Sequence, residues 1–210
     1  MFSFLLMPPE REIRARGFKF VAGVDEAGRG PLAGPVIAAA VVLPADHNIE
    51  GIADSKKLSP PKREALFSKI YEHAEAVGVG CVDQREIEKI NILQASLKAM
   101  QLAVADLGLE ADYLLIDGIH TISTHISQSA IKKGDSLCPS ISAASIIAKV
   151  TRDRIMLGWH SIYPMYNFAV NKGYGTKEHM LALKRFGCCE IHRRTFKGVR
   201  ENSTCAVTQQ

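Results

Sequence analysis

Two apolar segments of strand length, residues 18–25 and 36–43, lie about ten residues apart, and the stretch between them is rich in Gly and Pro. Such runs read as strands, and the short gap suits an antiparallel pair joined by a functional loop. The first segment runs directly into two acids and a glycine-flanked arginine, Val21-Ala22-Gly23-Val24-Asp25-Glu26-Ala27-Gly28-Arg29-Gly30. Adjacent carboxylates at a strand end repel each other unless a cation lies between them. Gly28-Arg29-Gly30 offers free backbone N–H groups and one guanidinium to an anion. Acids for a metal beside amides and a guanidinium for phosphate point to an enzyme that handles a phosphodiester.

The rest of the chain alternates strand and helix patterns. Ser59-Pro60-Pro61 predicts a helix start, with Ser as cap and Pro in the first turn, running to about Glu75 with Leu66, Ile70 and Ala74 on one face. Strands are expected over 77–82, 113–117 and 129–133. Helices are expected over 84–107, bent near Asn91 with Leu93, Leu97, Met100 and Val104 on one stripe, and over 140–157 and 176–186. Paired strands followed by alternation with helices give an α/β domain with a mixed sheet. Residues 1–16 read as a lead-in, 17–200 as one domain whose part from about 159 is helical and basic, and 201–210 as a polar, disordered tail.

Charge is unevenly distributed. Residues 149–210 carry 11 Lys/Arg against 4 Asp/Glu, whereas residues 1–148 carry 15 against 18. An acidic part joined to a basic one suits a catalytic centre with a clamp for a polyanion; the alternative is a merely solvated basic tail. At 210 residues and 47% hydrophobic the chain can bury a sizeable core. No apolar run approaches the roughly 18–20 residues of a membrane span. The apolar opening stops at Pro8-Pro9, without the basic start or small-residue cleavage site of a signal peptide. The five cysteines are an odd number without a Cys-x-x-Cys pair, which argues against a disulfide framework or a structural zinc and for reduced thiols in a cytoplasm. His120, His125, His179 and His192 lack metal-ligand spacing and read as loop or surface histidines.

Two further acids join Asp25 and Glu26 as candidates. Asp117 ends the strand Leu114-Leu115-Ile116, and Asp135 follows Lys132-Lys133-Gly134 just before a helix of small residues. Strand C-terminal ends are where open α/β folds place their sites, and hard divalent cations take oxygen ligands of this kind. Taken singly, Asp117 also reads as a turn residue and Asp135 as a helix cap. Lys149 and Arg152 share a helix face and either meet a phosphate or stay solvated, Lys149 beside Asp153; Arg193 and Arg194 are weaker candidates.

Several separated motifs together resemble one family. They are Gly23 to Pro35, Asp54-Ser55-Lys56-Lys57-Leu58-Ser59, Leu115-Ile116-Asp117-Gly118, Lys133-Gly134-Asp135, Ala144 to Asp153, Tyr163-Pro164, Lys172-Gly173-Tyr174-Gly175-Thr176 and His192-Arg193-Arg194-Thr195-Phe196. Spanning roughly residues 18–200, they resemble the type 2 ribonucleases H, the bacterial ribonuclease HII group. Departures are small: Asn171 stands where His is usual, Thr195 where Ser is commoner, Ser142 in an Ala-rich stretch, and Cys188-Cys189 is peculiar to this chain.

The resemblance implies a ribonuclease H-like fold, a mixed central sheet flanked by helices with a helical C-terminal extension. It implies endonucleolytic cleavage of RNA in RNA–DNA hybrids, including incision 5′ to a single ribonucleotide embedded in duplex DNA, leaving a 3′-hydroxyl and a 5′-phosphate. Asp25, Glu26, Asp117 and Asp135 would be catalytic and would hold Mg2+ or Mn2+, two ions during catalysis. Gly28, Arg29 and Gly30 would read the 2′-OH and its phosphate, and Tyr174 would pack on the next deoxyribose, although a ring on a loop also serves simply to pin it to the core. Ser55, Lys56 and Lys149 would contact the nucleic acid. The expected partners are hybrid duplex and ribonucleotide-containing DNA, with no membrane, and the expected state is a cytoplasmic monomer.

Two other readings compete. Gly28-x-Gly30 after a strand is reminiscent of a dinucleotide fingerprint, but the third glycine comes one residue late, at Gly34, and Pro31 and Pro35 oppose the helix that should begin there. A non-catalytic hybrid-binding module would suit the basic C-terminal third, yet has no reason to place four acids near phosphate.

Overall fold

The computed structural model of the chain describes residues 9–52 and 58–202. Helix α1 (Pro9–Ala15) leads into strands β1 (Val21–Ala27) and β2 (Val36–Val42). Helix α2 (Pro60–His73), strand β3 (Ala76–Val82) and helix α3 (Gln84–Ala105) follow, then strands β4 (Tyr113–Asp117) and β5 (Ser127–Ile131). The C-terminal part holds α4 (Pro139–Ile162), α5 (Phe168–Asn171) and α6 (Lys177–Phe186). The expected contacts of Ser55 and Lys56 lie outside the described residues. Of the expected tail, residues 201 and 202 belong to a 3-10 turn over Arg200–Asn202 and the rest lies outside as well.

The strands form one mixed sheet in the order β3-β2-β1-β4-β5. The β1–β2 and β2–β3 pairs are antiparallel, and the β1–β4 and β4–β5 pairs are parallel. Every residue of β2 is fully buried, because both faces of the sheet are covered. Val36, Ala38, Ala40 and Val42 join Ala22 and Val24 under α3, while Ile37, Ala39 and Val41 pack under α4 and α2. Burying one such Val or Ile contributes roughly 1.5–3 kcal/mol, so this strand carries much of the core.

Several elements differ from the sequence expectation for physical reasons. β1 runs through both acids, since its register with β2 continues to Ala27 opposite Ile37. Asp25 and Glu26 therefore close the strand as expected, and it runs two residues past its predicted end at Asp25. Of the expected stripe of α3, Met100 is buried and Leu97 and Val104 pack partly buried against the same core, while Ile87, Ala95, Ser96, Ala99 and Ala103 are buried beside them, because small residues let the helix approach the sheet closely. The bend falls at Asn91, whose φ is 66° and whose Oδ1 accepts N–H bonds from Leu93 at 3.0 Å and Gln94 at 3.2 Å. Ser59 precedes α2 but makes no side-chain cap bond. Pro61 has removed an N–H that it would have capped. β5 lies two residues earlier than expected, and Lys133, at φ 60°, is already in the turn beyond it.

Helix α4 lies across β1 at Gly23, where a Cβ would come within 2.1 Å of the Ser140 carbonyl carbon. Its first turn is capped from outside: Glu10 Oε2 accepts from the Ser140 N–H at 3.1 Å and the Ser140 hydroxyl at 2.9 Å. The lead-in thus contributes a carboxylate to the positive end of the helix. The C-terminal part shares a core with the β1–β2 loop, where Leu32 and Ala33 pack with Met156, Phe168, Leu183 and Ile191.

Candidate active site

The parallel pairing of β1 with β4 sets Val24 opposite Ile116. The next residue on each strand is an acid, so Asp25 and Asp117 emerge together at one end of the sheet. Alternation along β1 turns Asp25 toward α4, where Ser145 bonds it, and opens Glu26 toward Leu93, Ser96 and Met100 of α3. Burial first, then the charges of Glu26 and Asp117, hold the Asp25 carboxyl well above its ordinary range. Burial also raises Glu26, with Asp117 adding to it, while the Arg29 guanidinium 3.2 Å away pulls it down.

Asp135 reaches this end of the sheet by another route. The Gly134 N–H donates to Asp117 Oδ1 at 2.7 Å, which ties the turn Gly134–Ser136 to β4. Asp135 itself is buried, 2% exposed. It is not a helix cap, because α4 begins at Pro139 after Cys138. The structure thus crowds Asp25, Glu26 and Asp117 and sets Asp135 beside the amide that holds Asp117. Among the described residues no three His, Cys, Asp or Glu side chains stand together as a group that could hold a metal ion by themselves.

Beside the acids runs a groove of about 440 Å³ lined by Glu26, Gly28, Arg29, Gly30, Lys149 and Tyr174. Arg63 and Ser145 also line it, and sequence reasoning did not single them out. Ser145 was legible in principle, being four residues before Lys149 on the same helix face. Half-exposed Tyr174 brings its ring to the loop: a Cβ on Gly30 would lie 3.6 Å from its Cε1. Lys149 pairs with Asp153 at 2.6 Å while facing the groove.

The loop owes its shape to two buried arginines. Arg152 donates to the carbonyls of Pro35 at 3.0 Å, Ala33 at 3.0 Å and Lys172 at 2.9 Å. Arg193 donates to those of Gly34 at 2.9 Å, Arg29 at 3.0 Å and Gly28 at 2.6 Å. Neither stands free to meet phosphate, the role weighed for them from sequence. At Gly28, φ is 103° and a Cβ would come within 2.2 Å of Arg152 Nε, so only glycine fits between guanidinium and groove. Burial, and for Arg193 the neighbouring Arg152, lowers both guanidinium pKa values, Arg193's to about 9, which leaves each charged at neutral pH.

Two histidines also depart from expectation. His179 and His192 are fully buried behind Tyr174, not on the surface. Asn171 serves the same region, since its Oδ1 accepts from the Gly173 N–H at 2.8 Å and its Nδ2 donates to the Tyr166 carbonyl at 2.6 Å.

Strand β1 leads through a loop into an antiparallel strand, not into a helix, which disposes of the dinucleotide reading. The family model for ribonuclease HII matches residues 22–199. The chain belongs to the ribonuclease HII family. It is 57% identical over 188 residues to the ribonuclease HII of Syntrophus aciditrophicus, covering 90% of this chain and 89% of that one. It is 56% identical over 193 residues to that of Geobacter metallireducens, covering 92% and 91%. Among solved structures it resembles the ribonuclease H2 of Pyrococcus horikoshii, with a TM-score of 0.73 and 30% identity over 87% of this chain and 96% of that one. As a ribonuclease HII the chain is an endonuclease that degrades RNA in RNA–DNA hybrids, and the reading as a non-catalytic binding module falls away. Among the described residues no helix is long and apolar enough to cross a membrane.

Proposed function

We propose that the hybrid is cut at the acidic end of the sheet, and that the enzyme also incises 5′ to a single ribonucleotide in duplex DNA, leaving a 3′-hydroxyl and a 5′-phosphate. The observation that carries this reading is the crowding of Asp25, Glu26 and Asp117 directly beside the groove of the Gly28–Gly30 loop. Carboxylates of which one is kept from ionising normally, by burial first and by its neighbours' charge second, are poised for a cation. Their donors are all oxygen, as Mg2+ and Mn2+ require. Mg2+ is usually held by one or two carboxylates together with substrate phosphates, so it does not need a complete protein cage.

Asp25, Glu26, Asp117 and Asp135 would hold the ions, two of them during catalysis. A divalent ion bound there supplies Lewis-acid stabilisation of charge on the phosphate and activation of water. The protein's own groups do the positioning. Arg29, already drawn to Glu26, offers its remaining N–H donors to the adjacent phosphate. Gly28 and Gly30 let the backbone approach the 2′-OH, the atom that separates RNA from DNA. The Tyr174 ring packs on the deoxyribose on the 3′ side, so an RNA-to-DNA junction is read from both sides. Lys149, with Ser55 and Lys56, contacts the phosphate backbone, and the basic C-terminal third steers the duplex. The enzyme acts as a monomer, and an odd number of cysteines without a Cys-x-x-Cys pair supports a reducing cytoplasm as its place.

The test offers a DNA duplex carrying one ribonucleotide, a continuous RNA–DNA hybrid and an all-DNA control, each with Mg2+, Mn2+ or chelator. Incision of the first two with metal and of none with chelator is expected, with end-mapping placing the cut 5′ to the ribonucleotide. No cleavage of the single-ribonucleotide duplex with either metal, or a cut on its 3′ side, overturns the reading.

A further inference from the structure

Behind Tyr174 the two buried histidines form part of a continuous hydrogen-bond chain. His179 Nδ1 lies 2.9 Å from the Tyr174 carbonyl oxygen, and His179 Nε2 lies 3.0 Å from His192 Nε2. His192 Nδ1 receives the Cys189 backbone N–H at 2.9 Å and faces the Cys189 thiol at 3.1 Å. These contacts leave one arrangement of protons. A carbonyl only accepts, so His179 must carry its proton on Nδ1. Its Nε2 is then an acceptor, and His192 must donate to it from Nε2. His192 Nδ1 is thereby an acceptor, which is what the Cys189 N–H requires. Each neutral ring has one donor and one acceptor, and here both are used in one direction, from Cys189 to Tyr174.

The surroundings favour this neutral state. The Tyr166 ring stands edge-on to His192 at 4.8 Å and the Phe168 ring edge-on to His179 at 5.4 Å. A second proton on His179 would set its Nε2–H against that of His192 across 3.0 Å, and one on His192 would set its Nδ1–H against the Cys189 N–H across 2.9 Å. The far end is also specific, because His192 adjoins Arg193, which holds the Gly28 and Arg29 carbonyls. His192 is itself bridged to Ala33 of the same loop. The relay therefore joins the backbone of Tyr174 to the segment that shapes the Gly28–Gly30 loop.

We propose that His179 and His192 act as one positioning unit, a neutral relay of fixed direction that sets the backbone of Tyr174 so that its ring and the Gly28–Gly30 loop read the same junction. This rests on the proposed junction role of Tyr174. The two rings touch no substrate; they act through Tyr174. Their contribution is to selectivity: a displaced ring weakens recognition of a lone ribonucleotide, where one sugar must be picked out, more than recognition of a continuous hybrid, where many registers are equivalent.

The test has two arms. In the wild-type full chain, long-range 1H–15N NMR should find His179 protonated at Nδ1 and His192 at Nε2, without any substrate. The opposite tautomer at either ring, or a charged ring at neutral pH, overturns the relay. In cleavage assays His179→Leu should lower kcat/KM on the single-ribonucleotide duplex about twofold to threefold more than on a continuous hybrid, no more than Tyr174→Ala does, and should add little to Tyr174→Ala, since groups acting as a unit are not additive. Additive losses, or an unselective His179→Leu beside a selective Tyr174→Ala, strike at the relay alone. A Tyr174→Ala that loses equally on both substrates strikes at the junction reading beneath it. Should His179→Leu fail to fold, the tautomers of the wild-type chain still decide.

Discussion

The two sides of the groove are built on opposite electrostatic plans. On one side Asp25, Glu26 and Asp117 are crowded, and burial together with their mutual charge raises the Asp25 carboxyl. On the other, two buried guanidinium groups are each satisfied by three backbone carbonyls. The acidic side holds more negative charge than its neighbours balance, as a cation-binding site requires. The glycine-loop side has its charge and polar groups matched within the fold, as a rigid template requires. Cation capture calls for unbalanced charge, whereas reading one hydroxyl calls for a backbone that does not move.

Breaking the acidic side should have the largest effect. Asp117→Asn keeps the shape and the Gly134 contact but removes a charge, and turnover should fall roughly a thousandfold while hybrid binding stays within a few-fold, as a metal-ligand role at the transition state demands. Turnover kinetics beside a binding titration check this; unchanged turnover removes Asp117 from the site. Breaking the template side should instead cost stability. Arg193→Met leaves the Gly28, Arg29 and Gly34 carbonyls without their donor and should lower unfolding free energy by about 3 kcal/mol, measured by denaturant melts.

Smaller changes sharpen the contrast. Tyr174→Ala should cost about tenfold on a single-ribonucleotide duplex and less on a long hybrid, with folding stability nearly unchanged because the ring is half-exposed. Paired kinetics on the two substrates test it. Glu10→Ala, outside both halves, should lose a helix cap worth about 1 kcal/mol and leave substrate preference alone. A change in preference would show that the lead-in acts on the site and not merely on α4.

The same contrast separates what was legible in the sequence from what was not. Asp25 and Glu26 stood out because two acids interrupt an apolar run, and Asp117 because it ends another. Alternation and register then bring them together, and both are local rules. The bend of α3 was readable because Asn91 carries its own capping chemistry. The supports of the glycine loop were not readable. Arg193 reaches carbonyls far back in the chain, and Glu10 caps a helix 130 residues away. A buried arginine looks in sequence like an exposed one, and only tertiary packing decides which it is. The same holds for His179 and His192, whose partners become apparent only once α6 and the segment around Ile191 are folded against the β1–β2 loop.

On this reading the acidic side is destabilised by its buried, crowded charge until a divalent cation binds. Asp25 and Glu26 have folded-state values raised above 3.8 and 4.5. Their stabilising protonated forms are fully present below those ordinary values and lost as pH rises through the raised ones, so the metal-free protein weakens across that window. Thermal melts at pH 8 with and without saturating Mn2+, on the wild-type chain and Asp117→Asn, test this directly. Without metal, Asp117→Asn is predicted to melt higher than wild type; Mn2+ should raise the wild-type midpoint by about 5 °C and the variant's far less. Equal midpoints without metal, together with no rise or the same rise in both proteins, would show that crowded charge does not prepare this side for a cation.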